Sequence, residues 1–233
     1  MNRFMNGFIA LLAVGSVIQP CLSQSNAPTL YTDPDTGIVF DTWTVAPTVT
    51  SGGLTFGMAL PEDALTTDAT EFIGYLSCSS FNNGTGGWCG LSLGGYMINR
   101  LLLMAYAQDD DVLTSFRFTS SYTMPSVYTG NATLTQISST ITDHEFTLLF
   151  RCEGCLAWDN DGVVGYTSTS AGALELGWAQ AQESPANGAC PDELSLMQHE
   201  ANSVWDITLD ENAVSAEYET WAELAINLVT GTC

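Results

Sequence analysis

Lysine is absent from this sequence, and its four basic residues are all arginines, set against 26 aspartates and glutamates. The formal net charge at pH 7 is therefore −22. A surface of this sign repels the phosphates of nucleic acids and anionic lipid headgroups. We therefore expect no nucleic-acid partner and no membrane surface, which leaves cations, basic proteins and neutral polymers as partner classes.

Histidine is almost as scarce, because the chain has only His144 and His199. Two histidines leave little material for a multi-histidine metal site or for a Ser-His-Asp triad. A glycoside hydrolase that works through two carboxylates stays open as an alternative, although 26 acidic residues produce many pairs by chance.

Long apolar runs are also missing. No stretch reaches the roughly 18 consecutive apolar residues of a transmembrane helix. Residues 1–23 contain Arg3, a short apolar run over residues 7–14 and small residues before the polar Gln24, which is typical of a secretory signal peptide. We predict a secreted, extracellular protein whose residues 24–233 form one monomeric domain.

The cysteines agree with export to an oxidising compartment. Six of them follow the predicted leader, an even number that three disulfides would use. Short sequence separations favour the pairs Cys78–Cys89 and Cys152–Cys155, and elimination then leaves Cys190–Cys233. A redox dithiol or half a zinc site at Cys152 and Cys155 is the alternative, but it lacks a second cysteine pair and a histidine cluster.

Two sequons for N-glycosylation are present, Asn83-Gly84-Thr85 and Asn131-Ala132-Thr133. A glycan is bulky and polar, so on an exported chain its attachment site lies at the surface. We therefore predict that Asn83 and Asn131 are glycosylated in exposed loops.

Short runs of β-branched and aromatic residues, separated by turn formers, dominate the chain and predict an all-β fold. Regular spacing of the turns favours an antiparallel sandwich. The turn Asp159-Asn160-Asp161-Gly162 predicts a tight hairpin rather than a calcium loop, and a helical pattern from Ala216 to Leu228 predicts a short C-terminal helix. The predicted strands are Gly37–Phe40, Leu54–Leu60, Glu71–Leu76, Trp88–Leu93, Leu101–Ala107, Leu113–Phe118, Ala132–Ile137, Glu145–Arg151 and Leu174–Ala179.

One segment suggests a cofactor. Gly94 and Gly95 would let the backbone approach something flat and bulky, and Met97 follows at once. Methionine in an apolar run is more often core filler, and His199 alone would be an ordinary surface histidine. Spacing by itself therefore leaves both readings open.

Several ordered segments add to this pattern: Tyr31–Phe40, Glu71–Gly74, Gly90–Leu103, Tyr128–Leu134 and Phe150–Cys155. Through them nearly all of residues 24–233 resembles the b-type cytochrome domain of fungal cellobiose dehydrogenase, an iron-reductase cytochrome family.

The resemblance implies an immunoglobulin-like β-sandwich with a haem b iron held by Met97 and His199. It also implies that Tyr122 lies on the propionate side and that Arg117 lies where relatives carry a basic residue, while His144 has no such role. Residues 200–203, Glu-Ala-Asn-Ser, depart from the aromatic-containing stretch of the family. The packing on that side of the haem is therefore expected to differ.

The function that the resemblance implies is a relay of single electrons. The donor would be a flavin dehydrogenase, and the acceptor a lytic polysaccharide monooxygenase, ferric ion or a quinone; ferric reductase activity is the enzymatic candidate. Leu156 follows Cys155, so the c-type Cys-x-x-Cys-His attachment is missing and the haem would be non-covalent. A haem-free sandwich that binds carbohydrate is the competing hypothesis, through Trp43, Trp88, Trp158 or Trp178.

Overall fold

The computed structural model describes residues 27–48, 51–80 and 87–233. The predicted signal peptide, residues 1–23, and the sequon residue Asn83 lie outside these ranges. The strands within them are β1 (Thr29–Thr32), β2 (Val39–Val45), β3 (Leu54–Pro61), β4 (Phe72–Ser79), β5 (Trp88–Ser92), β6 (Leu102–Gln108), β7 (Asp111–Phe118), β8 (Ser126–Val127), β9 (Thr133–Ile141), β10 (Glu145–Glu153), β11 (Ala157–Asn160), β12 (Val163–Tyr166), β13 (Ala173–Ala181), β14 (Ala201–Thr208) and β15 (Val214–Ser215). One helix, α1 (Tyr218–Ala222), follows them.

The long strands form two sheets that enclose a common core. The first sheet has the order β1-β2-β3-β4-β10-β9, and the short β15 runs parallel to the end of β3. The second has the order β14-β13-β5-β6-β7-β8, and β11 pairs only with β12 as a separate hairpin. All pairings except that of β15 are antiparallel, which confirms the predicted immunoglobulin-like β-sandwich.

The core follows from the two-residue period of the strands. On β10, Phe146, Leu148 and Phe150 belong to the central cluster, whereas Leu149 belongs to a cluster on the opposite face. On β6, Leu103 likewise lies in the central cluster and Met104 on the other side. Successive side chains of a strand point to opposite faces, so each sheet has apolar residues both inside and outside the sandwich.

Three disulfides connect the described cysteines. Cys78–Cys89 joins β4 of the first sheet to β5 of the second, with an S–S distance of 2.04 Å. Cys152–Cys155 closes a short loop after β10, and Cys190–Cys233 ties the C-terminus to the segment before β14. These bridges restrict the unfolded chain, and the loop of 43 residues closed by the third restricts it most.

The C-terminal helix covers the outer face of the first sheet. Tyr218 and Ala222 of α1 pack on Ile73, Ile137 and Leu149. The helix is shorter than the sequence pattern indicates, because backbone hydrogen bonds between Asn227 and Gln136 at 2.9 and 3.1 Å draw the chain towards β9 instead.

Leu228 is accordingly 74% exposed. Across the three described ranges, no helix has the length and apolar character needed to cross a bilayer.

The β11–β12 hairpin has the tight turn that the sequence predicts. Asp161 and Gly162 both adopt positive φ, 51° and 85°. The backbone N–H of Gly162 donates to Asp159 Oδ1 at 2.8 Å. Two consecutive residues with positive φ match the twist of a two-residue hairpin, and Asp-Gly tolerates them well.

Asn131 uses its side chain within the fold. Its Nδ2 donates to the carbonyl oxygens of Ala157 at 2.9 Å and Gly154 at 3.3 Å, and its Oδ1 accepts from the Tyr128 hydroxyl at 2.7 Å. Asn131 is exposed, as a glycosylation site must be, and its glycosylation stays a prediction. A glycan would replace one of the two Nδ2 hydrogens and leave the other for these contacts.

A buried carboxyl makes folding sensitive to pH. Asp41, on β2, is 1% exposed, and its Oδ2 has no hydrogen-bond partner among the described residues. Burial, followed by the negative charge of Asp210, raises the pKa of Asp41 from 3.8 to about 6. The folded protein therefore binds this proton more tightly than the unfolded chain does.

We expect Asp41→Asn to remove this pH dependence. The contribution of Asp41 to stability is complete below its unfolded pKa of 3.8 and is lost as pH rises through about 6. Between pH 4 and pH 7 the variant should gain on the order of 3 kcal/mol in unfolding free energy relative to wild type. Urea unfolding at pH 4 and pH 7 measures this gain, and Asp206→Asn, at an exposed position, is the control. If the difference in unfolding free energy between Asp41→Asn and wild type were the same at both pH values, the raised pKa of Asp41 would be refuted.

A cavity on the outer face of the second sheet

The outer face of the second sheet carries a cavity of about 740 Å³. Its floor is formed by β5, β6, β7, β13 and β14, and its rim by residues 95–97, 122–125 and 196–199. The volume lies within the range of small-molecule and cofactor sites. None of the residues that line it is an aspartate or glutamate, although the chain carries 26 of them.

Small residues make the centre of the floor flat. In one row across the strands Gly90 lies between Ala179 and Met104, and in the next row Ser92 lies between Gly177 and Leu102. Side chains two residues apart on a strand share a face, so these rows lie on the same face of the sheet. A flat, mostly apolar floor suits a planar, apolar ligand.

The loop that carries Met97 is held against this floor by backbone contacts. A Cβ atom on Gly177 would lie 2.0 Å from the carbonyl oxygen of Gly95, so only glycine fits there. Gly95 has φ +84°, and a Cβ on it would lie 1.9 Å from Glu175 Oε1. The Ser92 hydroxyl also donates to the carbonyl of Tyr96 at 3.1 Å. These contacts place the backbone before Met97 directly on β5 and β13.

Gly94 has a different environment from Gly95. It lies outside the cavity lining, where the Arg100 Nε–H donates to its carbonyl at 2.8 Å. A Cβ on Gly94 would lie 2.5 Å from Arg100 Cδ and 3.0 Å from the Trp158 ring. Of the two glycines that the sequence singled out, Gly95 lines the cavity, whereas Gly94 packs against Arg100 and Trp158 outside it.

His199 lines the same cavity and sits on a fixed segment. The backbone N–H of the next residue, Glu200, donates to the Gln180 carbonyl at 3.0 Å. The Glu200 carboxylate accepts from the backbone N–H of Gln182 at 2.9 Å. The imidazole packs edge-to-face on Trp88, with ring centroids 6.3 Å apart, and its Nδ1 lies 3.0 Å from Asn202 Nδ2.

Burial shifts this imidazole towards its neutral form. Desolvation lowers the pKa of His199, while its own backbone carbonyl and the charge of Glu200 act in the opposite direction. A neutral imidazole has a free lone pair on one ring nitrogen and is the form that binds metals. His199 is therefore prepared for ligation, in contrast to His144, which is exposed in the β9–β10 turn and does not line the cavity.

The donor set fits haem better than a bare metal ion. Met97 and His199, both half-buried, offer one thioether and one imidazole. The described part of the chain has no cluster of three or more His, Cys, Asp or Glu residues that could hold a metal. Bare transition metals use three or four protein donors, whereas a haem iron needs one or two, because the macrocycle supplies the rest. The flat floor and the two donors thus suit the same group.

Arg117 and Tyr122 also line the cavity. Arg117 is 3% exposed; its Nε–H donates to Ser115 Oγ at 2.8 Å and its Nη2 to the Pro191 carbonyl. Burial lowers the pKa of Arg117, and Asp192 and Tyr106 counteract this. Tyr122 lies at the rim and is 74% exposed. The cavity therefore has the buried cation of Arg117 in its wall and the exposed phenol of Tyr122 at its mouth.

The tryptophans proposed as sugar platforms are buried. Trp43, Trp88, Trp158 and Trp178 are between 2% and 7% exposed. A sugar platform needs an exposed ring face, so these side chains do not support the carbohydrate-binding hypothesis. Gly177 and Asn202, which the sequence did not single out, contribute to the cavity instead; an isolated glycine within a strand is a known signal of close backbone approach.

The comparisons with known proteins agree with this geometry. The family model described as the cytochrome domain of cellobiose dehydrogenase matches residues 31–220. The solved cytochrome domain of Myriococcum thermophilum cellobiose dehydrogenase is 49% identical, with a TM-score of 0.85 over 88% of this chain and 100% of that chain. The cytochrome b domain of pyranose dehydrogenase from Coprinopsis cinerea shares the fold at a TM-score of 0.67 and 23% identity, with the same coverage.

A full-length relative matches as well. The pyrroloquinoline quinone-dependent pyranose dehydrogenase of Coprinopsis cinerea is 32% identical over 158 residues, which are 67% of this chain and 20% of that protein. The chain therefore corresponds to a small part of that relative. Fold, cavity and family match lead to one conclusion: the chain belongs to the family of cellobiose dehydrogenase cytochrome domains.

Proposed function

We propose that this chain binds haem b non-covalently, with Met97 and His199 as axial ligands, and relays single electrons. The observation that carries the proposal is that these two donors, distant in sequence, line one acid-free cavity above a flat floor. Haem b supplies an iron that gains and loses one electron at a time. Met97 and His199 would fill both axial positions and leave none for dioxygen or substrate, which favours electron transfer over oxygen chemistry.

The donor that we propose is a dehydrogenase that oxidises sugars. The relatives are parts of a cellobiose dehydrogenase and of a pyranose dehydrogenase that depends on pyrroloquinoline quinone. A flavin or a quinone cofactor in a partner domain or protein would therefore supply the electrons. Exposed apolar side chains at the rim, where a partner would meet the haem edge, support docking there: Tyr96, Tyr122, Met124 and Met197, each between 45% and 74% exposed.

The acceptors that we propose are a lytic polysaccharide monooxygenase, ferric ions or quinones. The net charge of −22 would concentrate ferric ions near the protein and would favour a protein acceptor with a basic surface. We place this transfer outside the cell, because the three disulfides form and persist in an oxidising compartment. Reduction rates of each acceptor at rising ionic strength would separate these candidates, since electrostatic steering weakens with salt.

Substituting the two ligands tests the proposal. We expect Met97→Ala and His199→Ala each to abolish the low-spin, six-coordinate spectrum of the haem-loaded protein, because each removes one axial donor. His144→Ala, the matched histidine control outside the cavity, should keep the wild-type spectrum. A wild-type spectrum from either ligand variant would move the ligation to another residue.

The contact between Gly177 and Gly95 gives a second test. We expect Gly177→Ala to displace the Met97 loop, because the added Cβ would lie 2.0 Å from the Gly95 carbonyl oxygen. Haem affinity should fall by about 10–100-fold, the usual cost of disturbing the support of a ligand.

Haem titration into the haem-free variant measures this loss. Gly162→Ala, which strains an exposed hairpin with nothing within 4 Å of the new Cβ, is the control for general destabilisation. Equal haem affinity of the Gly177 variant and wild type would refute the role of this contact.

A further inference from the structure

The side chain that hydrogen bonds the His199 ring is Asn202, with 3.0 Å between its Nδ2 and the ring Nδ1. Asn202 lies near the start of β14, where it pairs with Ala179 of β13, and both residues belong to the cavity lining. The sheet register therefore fixes its backbone.

The hydrogen bond decides which ring nitrogen carries the proton. A neutral imidazole has one N–H and one lone pair. When the Asn202 amide N–H donates to Nδ1, the ring proton must be on Nε2, and Nε2 then has no lone pair for a metal. When the amide is turned so that its oxygen faces Nδ1, the proton is on Nδ1 and the lone pair of Nε2 is free.

Asparagine can serve both states without moving its backbone. Rotation of the amide by half a turn exchanges its N–H₂ donor for its oxygen acceptor at the same distance. Trp88 packs edge-to-face on the imidazole, with an interplanar angle of 80°, and supports the ring while the amide turns.

We propose that Asn202 is the positioning residue of the axial histidine: its amide oxygen accepts the His199 Nδ1–H and directs Nε2 to the haem iron. This inference rests on the proposed haem ligation. Metal-bound histidines almost always donate their second N–H to such a partner, which fixes the ring and raises its basicity. A neutral amide raises the basicity of the imidazole less than a carboxylate does. Because a more basic imidazole favours ferric iron, the side chain at position 202 also affects the reduction potential of the haem.

Two substitutions should move the potential in opposite directions. Asn202→Leu removes the acceptor, so the imidazole becomes a weaker donor, the ferrous state is favoured and the potential rises. Asn202→Asp supplies a stronger acceptor, so the ferric state is favoured and the potential falls. A residue that only supports the fold would not shift the potential with opposite signs.

Haem retention separates the two variants further. The rate of haem transfer from Asn202→Leu to an excess of haem-free myoglobin should exceed that of wild type by about 10–100-fold. Asn202→Asp keeps an acceptor and should retain haem nearly as well as wild type. A faster loss from the leucine variant alone is the result expected of a lost hydrogen bond to the ligand.

The deciding experiment measures midpoint potentials by spectroelectrochemistry of the haem-loaded wild type and variants. Ser203→Asp adds the same charge one residue away and should lower the potential less than Asn202→Asp does. Asn212→Leu, in an exposed turn away from the cavity, should leave it unchanged. Equal potentials for wild type and both Asn202 variants, or equal shifts for the two aspartates, would overturn the inference. A wild type that binds no haem would instead overturn the proposed function.

Discussion

The need to cover both outer faces of the sandwich determines how this protein is built. Each sheet has apolar side chains on its outer face as well as on its inner face, and apolar sheet faces must be buried against another layer. On the first sheet the short helix α1 provides the cover. On the second sheet Leu194 helps to cover Trp88, Met104 and Tyr106 at one end, while the flat rows around Gly90 and Gly177 face the cavity. A cofactor held between Met97 and His199 would cover the remainder of that face.

The electrostatics of the chain give the cavity its character. The surface is strongly acidic, yet the cavity lining has no carboxylate, and its one cation, Arg117, is hydrogen bonded to Pro191 and Ser115. An acid-free, mostly apolar environment favours a neutral histidine and a thioether over hard, charged ligands. The acidic exterior then acts at longer range, on the approach of cations and basic partners. Function and solubility are thus served by different parts of the same sequence.

The sequence predicted most of the sheet because alternation within a strand is a local property. Its strands agree with the structure where β-branched and aromatic residues are dense, as in β3, β6 and β10. The sequence pattern does not predict β14, since Asn202 and Asp206 make one face polar and Ser203 interrupts the apolar residues of the other face. The C-terminal helix was predicted too long, because the bridge from Asn227 to β9 is a tertiary contact that no local spacing reveals.

The candidate site, like the fold, is predicted from the sequence only in part. The resemblance to the cytochrome family implies roles for Met97, His199, Arg117 and Tyr122, and the fold brings all four to one cavity. The crossing of Gly95 over Gly177 and the contact between His199 and Asn202 depend on the register between β5, β13 and β14, which sequence patterns do not specify.

The central claim, that this cavity holds a six-coordinate haem b, is tested most directly by one absorbance spectrum of the purified wild-type protein after exposure to haem. We predict one bound haem per chain, with a Soret band that shifts on addition of dithionite and sharp α and β bands in the reduced state. A protein that stays colourless, or that gives the broad spectrum of a five-coordinate, high-spin haem, would contradict it.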